Sequence, residues 1–249
     1  DTLQDHPSTC KSYHSPDQMK FITYIIPPEK YPKMLNIGAG EGLETSVLKD
    51  LGYDVTGIIR GEINLDYAYK NYPDIHFIES DMHDLPFPNE SFDAIYMNQT
   101  FEHAYAPFIF LLELYSILKP GGRIWTAMPE FKEIDNPTIG EPNKLSHHHP
   151  NTLCYNLLKQ MFESTGFKII HNTPIKNNPY FDNPYLLEKM PLEKLHDDVK
   201  NALNEIKKIY GTDTYSHPKK KISNTKNIEN VSINKNNPTI STYITAHNS

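Results

Sequence analysis

Met34-Leu35-Asn36-Ile37-Gly38-Ala39-Gly40-Glu41-Gly42 is the stretch on which the fold of this chain turns. A short apolar run enters glycines at alternate positions, and Leu43, Val47, Leu48 and Leu51 then recur at helical spacing until Gly52. That order predicts a buried strand, a tight turn and an amphipathic helix. Glycine at such a turn permits positive φ, and without a Cβ the backbone can come close to a ligand at the helix N-terminus. A nucleotide-like ligand is implied. A dinucleotide fingerprint would need its third glycine one position later, where Leu43 stands, which opposes a nicotinamide-dependent oxidoreductase.

Working outward, the same strand-and-helix alternation continues. Strands are expected at 54–59, 75–78, 91–98 and 123–128, with helices at 62–69 and along the face marked by Phe108, Leu111, Leu112, Tyr115 and Leu118. Leu153, Leu157, Leu158, Met161 and Phe162 mark another helix, stopped at Gly166, and 167–171 reads as a sixth strand. Met19, Phe21, Ile22 and Ile25 mark a helix before the core, ended by Pro27-Pro28. Repeated units of this kind predict an α/β, doubly wound, mostly parallel sheet. The pattern breaks after 171: the stretch 172–238 is rich in Asn, Pro and Lys and reads as an insertion or lid with one helix. Residues 239–246, β-branched and aromatic, read as an antiparallel last strand. The expected plan is an N-terminal helical extension at 1–32, a core at 33–171, the insertion at 172–238 and a closing strand at 239–249.

Composition narrows the function classes. The 249 residues carry a formal charge of -7, so there is no overall field to draw in phosphate backbones, and nucleic acid is not an expected partner. Lys219, Lys220 and Lys221 form a dense basic run, but in a Ser/Asn-rich stretch that reads as a solvated loop. Cys10 and Cys154 are far apart and suggest neither a disulfide framework nor a cysteine zinc site. No apolar run approaches the roughly 20 residues that span a bilayer. A cytoplasmic protein without a membrane span is therefore expected. Oligomeric state has no signature in the sequence.

The GxGxG turn resembles motif I of the class I S-adenosylmethionine-dependent methyltransferases, and further segments match that family in order. Asp81-Met82 resembles the acidic loop that reads adenine. Leu85-Pro86-Phe87 with Ser91-Phe92-Asp93-Ala94-Ile95 resembles the approach to strand four, Asn98-Gln99-Thr100-Phe101-Glu102-His103 its exit, and Leu118-Lys119-Pro120-Gly121-Gly122 the turn before strand five. The resemblance is to small-molecule methyltransferases related to the quinone and biotin-pathway enzymes (type 11-like). It implies a Rossmann-like core, S-adenosyl-L-methionine as cofactor and a small-molecule methyl acceptor. By the same resemblance the cofactor is held by Gly38, Ala39, Gly40 and Gly42, by Asp81 and Met82, and by Asn98. Two positions depart from the family. Asn36 stands where an acidic residue is common, and Ile59 aligns with the acidic residue that grips the ribose hydroxyls. Glu62 is the nearest carboxylate that could replace it, although a first-turn carboxylate favoured by the helix dipole explains Glu62 equally well. The loss of two customary acidic residues leaves a non-catalytic methyltransferase-fold binding module as the alternative function.

Methyl transfer asks mainly for alignment, because the sulfonium already activates the methyl group. For a hydroxyl or amine acceptor a general base helps, and His103 or His148 is expected to supply it. Gln99, Phe101 and His149 are the expected acceptor contacts. No metal is expected, since the adjacent side chains of His147, His148 and His149 diverge and lack carboxylate or cysteine partners at suitable spacing.

Overall fold

Along the central strands the buried side chains alternate between two faces, as a pleated strand covered on both sides requires. In the computed structural model, which describes residues 19–128, 155–171 and 184–210, Met34, Ala94, Tyr96, Trp125 and Leu186 face one apolar cluster. Leu35, Ile37, Ile95, Met97, Ile124 and Leu187 face the other. The described residues all belong to one compact unit.

The chain runs α1 (Phe21–Ile25), β1 (Lys33–Ile37), α2 (Leu43–Asp50), β2 (Asp54–Ile59), α3 (Glu62–Asn71), β3 (His76–Glu79), β4 (Phe92–Asn98), α4 (Pro107–Ile117), β5 (Leu118–Ala127), α5 (Tyr155–Ser164), β6 (Phe167–His171), β7 (Pro184–Lys189) and α6 (Asp197–Tyr210). The sheet order is β3-β2-β1-β4-β5-β7-β6. The pairs β1/β2, β1/β4, β2/β3 and β4/β5 are parallel. Strand order therefore reverses between β1 and β4, and in an open α/β sheet the crevice beyond the strand C-termini at such a switch point is where ligands bind. Val47 and Leu48 of α2 pack on one face with the α1 residue Ile22. Phe110 and Leu114 of α4, Phe162 of α5 and Leu203 of α6 pack on the other.

The expected α/β doubly wound, mostly parallel, Rossmann-like sheet with an antiparallel strand is present. Two details differ from the sequence reading. The stretch expected to be an insertion or lid supplies β7, which pairs antiparallel with both β5 and β6 and lies between them. Tyr185 and Leu187 point into one cluster and Leu186 into the other, and the buried Lys189 ammonium reaches the Leu118 carbonyl at 2.6 Å. The six residues of β7 are too few to show a period against the surrounding Asn and Pro. The other detail is the Lys119-Pro120-Gly121-Gly122 turn, which lies inside β5 as a register shift opposite Phe92 and Ala94. The closing strand expected at 239–246 lies outside the described residues, as does the extension before 19.

Among the described residues no helix is long and apolar enough to cross a membrane.

Candidate functional site

The glycine turn is shaped by two different pressures. Gly38 has φ +80°, and a Cβ there would lie 2.2 Å from Thr100 Oγ1. Its neighbour on β4's exit is thus what excludes a side chain. Thr100 is itself fixed, its single hydroxyl proton shared between the carbonyls of Asn98 at 2.9 Å and Ile37 at 3.2 Å. Gly40 has φ +53°, and a Cβ there would meet nothing within 4 Å. Close packing does not forbid a side chain at Gly40, so the space beside it is room that the protein leaves open. The turn is pinned to β2 from below: Gly38 and Ala39 donate their N–H groups to the Ile58 carbonyl at 3.2 and 2.8 Å.

Beside the turn lies a pocket at the C-terminal edge of the parallel strands. Its walls include Ile37 at the end of β1 and Gly38 just after it, Ile58 in β2 and Arg60 just after that strand, Asp81 and Met82 after β3, and His103 after β4. Ser80, His83 and Tyr105 complete it. Asp81 presents a half-exposed carboxylate. One oxygen, Oδ1, accepts from the backbone N–H of His83 at 2.9 Å and lies 3.0 Å from that residue's Nδ1. Burial by itself would raise this carboxyl, but the two hydrogen bonds from His83 and the nearby Arg60 guanidinium hold it below its ordinary value. It is a charged acceptor, suited to an exocyclic amino group.

Behind the loop sits Glu113 of α4, whose Oε1 accepts the Leu85 N–H at 2.7 Å. Burial, with Asp84 and Asp81 nearby, outweighs that hydrogen bond and pushes the Glu113 carboxyl up to about 7. The folded protein therefore keeps this proton to higher pH than the unfolded chain does. Its contribution to stability falls as pH rises from about 4.5 through about 7, and the penalty is complete above that. Glu113→Gln retains an acceptor for Leu85 without the charge. It is expected to stabilise the protein by about 1 to 2 kcal/mol at pH 8 and to have little effect near pH 5, read from urea midpoints at the two pH values.

The structure sorts the residues singled out from sequence. Gly38, Asp81, Met82 and His103 line one pocket, with Gly40 in the adjoining turn. Gly42 does not face it: a Cβ there would meet the Phe77 ring at 2.8 Å and Ala68 at 3.1 Å, so this glycine admits close packing of α2 on α3 and β3. Ala39 is likewise buried against Phe77 and Ile59. Asn98 is turned to α2, its Nδ2 donating to Glu44 Oε1 at 2.9 Å. Phe101 is wholly buried against Phe110 and Phe162, so it is core and not an acceptor wall. Gln99 occupies a left-handed position with φ 48° and donates its N–H to the Ala127 carbonyl at 2.8 Å; it is not among the residues lining the pocket.

Glu62 is exposed in the first turn of α3 and likewise outside the pocket lining. Ile59, aligned with the ribose-gripping carboxylate, is completely buried on the opposite face of β2, under α3. The next residue, Arg60, is the one that reaches the pocket. Asn36, at the other family departure, is buried and donates to Thr45 Oγ1 at 2.9 Å, a structural tie between β1 and α2. His147, His148 and His149 lie outside the described residues. Among the described residues no group of three or more His, Cys, Asp or Glu is placed to hold a metal ion.

Sequence reasoning passed over Arg60, His83 and Thr100. Arg60 directly follows β2 and His83 comes two residues after Asp81, so strand ends were the available signal. Their convergence depends on the sheet order.

Comparison with known proteins agrees with this geometry. A family model described as "Methyltransferase domain" matches residues 35–126. A probable S-adenosylmethionine-dependent methyltransferase of Mycolicibacterium smegmatis is 26% identical over 136 residues, 55% of this chain and 52% of that protein. A demethylmenaquinone methyltransferase of Renibacterium salmoninarum is 32% identical over 108 residues, 43% of this chain and 44% of that protein. The chain thus spans about half the length of these relatives. Among solved structures, Burkholderia thailandensis 1,6-didemethyltoxoflavin-N1-methyltransferase, with bound 1,6-didemethyltoxoflavin and S-adenosylhomocysteine, superposes with a TM-score of 0.56. It is 15% identical and is covered for 80% of its length by 72% of this chain.

Proposed function

Because the core of this chain is a class I S-adenosylmethionine-dependent methyltransferase domain, we propose that the protein transfers a methyl group from S-adenosyl-L-methionine to a small-molecule acceptor. One observation carries the reading. The glycine turn puts Gly38 on the wall of a pocket that has an ionised acceptor, Asp81, on one side and an imidazole, His103, on another.

The residues present suit the adenosyl group in most respects. Ile37, Ile58 and Met82 offer apolar surface to a purine, and Asp81 accepts from its amino group. At the ribose edge the fit differs from the usual one. Arg60 donates where a carboxylate would accept, and ribose hydroxyls can accept as well as donate, so the contact keeps one sense of hydrogen bond and loses the other. When bound, the cofactor supplies a methyl group already activated by its sulfonium. The chain has to orient an acceptor, exclude water and take up a proton. His103 sits at the end of the 3-10 turn Phe101–His103, where its imidazole can accept that proton from a hydroxyl or amine.

The relatives act on small molecules by name, one on demethylmenaquinone and one on 1,6-didemethyltoxoflavin, and a small-molecule acceptor is proposed here on that likeness. The net charge of -7 supports it by disfavouring nucleic acid.

Calorimetric titration with S-adenosylmethionine, S-adenosylhomocysteine and NAD tests the reading. The first two should bind and NAD should not. Asp81→Ala should weaken S-adenosylhomocysteine binding by about 1 to 2 kcal/mol through loss of the adenine acceptor. An effect on thermal stability alone would make Asp81 a turn residue, and binding of NAD in preference would overturn the proposal.

A further inference from the structure

We infer that His83 is a positioning residue that ties the adenine-side and acceptor-side walls of the pocket together, one ring nitrogen bonded to each. The inference rests on the reading of the pocket as a methyl-donor site and adds a residue that the family resemblance did not single out.

The observations concern both nitrogens. Nδ1 lies 3.0 Å from Asp81 Oδ1, a carboxylate held ionised, so this nitrogen carries the proton and donates. Nε2 receives the backbone N–H of Ala106 at 3.3 Å and must therefore be the acceptor. Together these contacts select the neutral, Nδ1-protonated tautomer. The ring is also gripped on its faces, stacking on Tyr105 at 5.8 Å with a 28° interplanar angle and packing on Phe110 at 5.7 Å. Ala106 is the N-cap residue just before α4, three positions beyond His103. A rigid ring thus sets the distance between Asp81 and the loop that carries the expected base. His83 is not itself placed to act as the base, since both of its nitrogens are committed.

Protonation would break one side of the bridge. An imidazolium keeps its bond to Asp81 but presents an N–H to the N–H of Ala106, replacing an attraction with two opposed donors. The charged and titratable groups around the ring are Asp81 and Asp84 in its own loop, Arg60 just after β2, His103 and Tyr105 after β4, and Glu113 from α4. Glu113, with its raised carboxyl, also faces the ring, so pH dependence alone would not isolate His83, and substitution is the cleaner route.

Asparagine places its amide nitrogen where Nδ1 stands, and glutamine places its oxygen where Nε2 stands, so the two variants separate the two contacts. On the full chain, we expect long-range 15N–1H spectra near neutral pH to show His83 as the Nδ1–H tautomer. His83→Ala should bind S-adenosylhomocysteine about tenfold more weakly and should speed hydrogen exchange at the Ala106 amide. His83→Asn should recover the affinity while Ala106 still exchanges fast. His83→Gln should recover the Ala106 protection without the affinity. An Nε2–H tautomer or an imidazolium near neutral pH overturns the inference. So does binding by all three variants within about twofold of wild type, or an equal loss in all three, which is what a merely structural ring would give. If the wild-type protein binds no S-adenosylhomocysteine, the methyl-donor reading fails, and the tautomer and the Ala106 exchange still decide whether the bridge exists.

Discussion

Gly40→Val is expected to lower S-adenosylhomocysteine affinity at least a hundredfold, about 2.7 kcal/mol, while leaving the far-ultraviolet circular dichroism unchanged. No protein atom lies within 4 Å of a Cβ at this position, so the side chain has no part of the fold to push against. It would instead fill the space that the turn leaves open beside the pocket. The backbone also objects, since φ +53° is a conformation that a β-branched residue adopts poorly. That strain is worth about 1 to 2 kcal/mol and should lower the melting temperature by several degrees. Gly40→Ala separates the two effects, because alanine carries most of the backbone strain and little of the bulk. If valine melts earlier but binds as the wild type does, the glycine turn is not part of the site.

Ile59→Asp is expected to unfold the protein or come close to it, with a loss of about 4 kcal/mol or more near neutral pH. Sequence alignment alone would argue the opposite: an aspartate at this position would complete the family's ribose contact and tighten cofactor binding. The structure reverses the expectation because Ile59 is 0% exposed and packed with Ala39, Ala68, Ile75 and Phe77, all apolar. A carboxylate there would be stripped of water with no partner. Its pKa in the folded state would be raised, so the penalty would be full above that raised value and relieved as pH falls toward the unfolded carboxylate range. Urea midpoints at pH 5 and pH 8 measure this. A variant as stable as the wild type that binds S-adenosylhomocysteine more tightly would show that residue 59 faces the ribose after all.

The contrast between these two positions shows what can be read from a linear chain. Gly40 was legible because alternate glycines between an apolar strand and an amphipathic helix have a local cause, and a local cause repeats wherever the pattern does. The strand-and-helix alternation was legible for the same reason, while Asp81 and His103, in the loops after β3 and β4, were picked out by the resemblance to a known family. These features together determined the fold class and one edge of the pocket. The sequence by itself did not determine which way a side chain turns at a strand end. One residue of slip exchanges the faces of a strand, and so Ile59 goes under α3 while its neighbour Arg60 enters the pocket. It did not show that Gly42 and Phe101 face the core, because burial is set by partners distant in the chain: Phe77 for one, Phe110 and Phe162 for the other. Nor did it place Pro184–Lys189 between β5 and β6, a position held by hydrogen bonds to strands some sixty and twenty residues earlier. The contact of His83 with Asp81 was within reach of a local reading, but its contact with Ala106 joins two loops that meet only because the sheet brings the ends of β3 and β4 to the same edge.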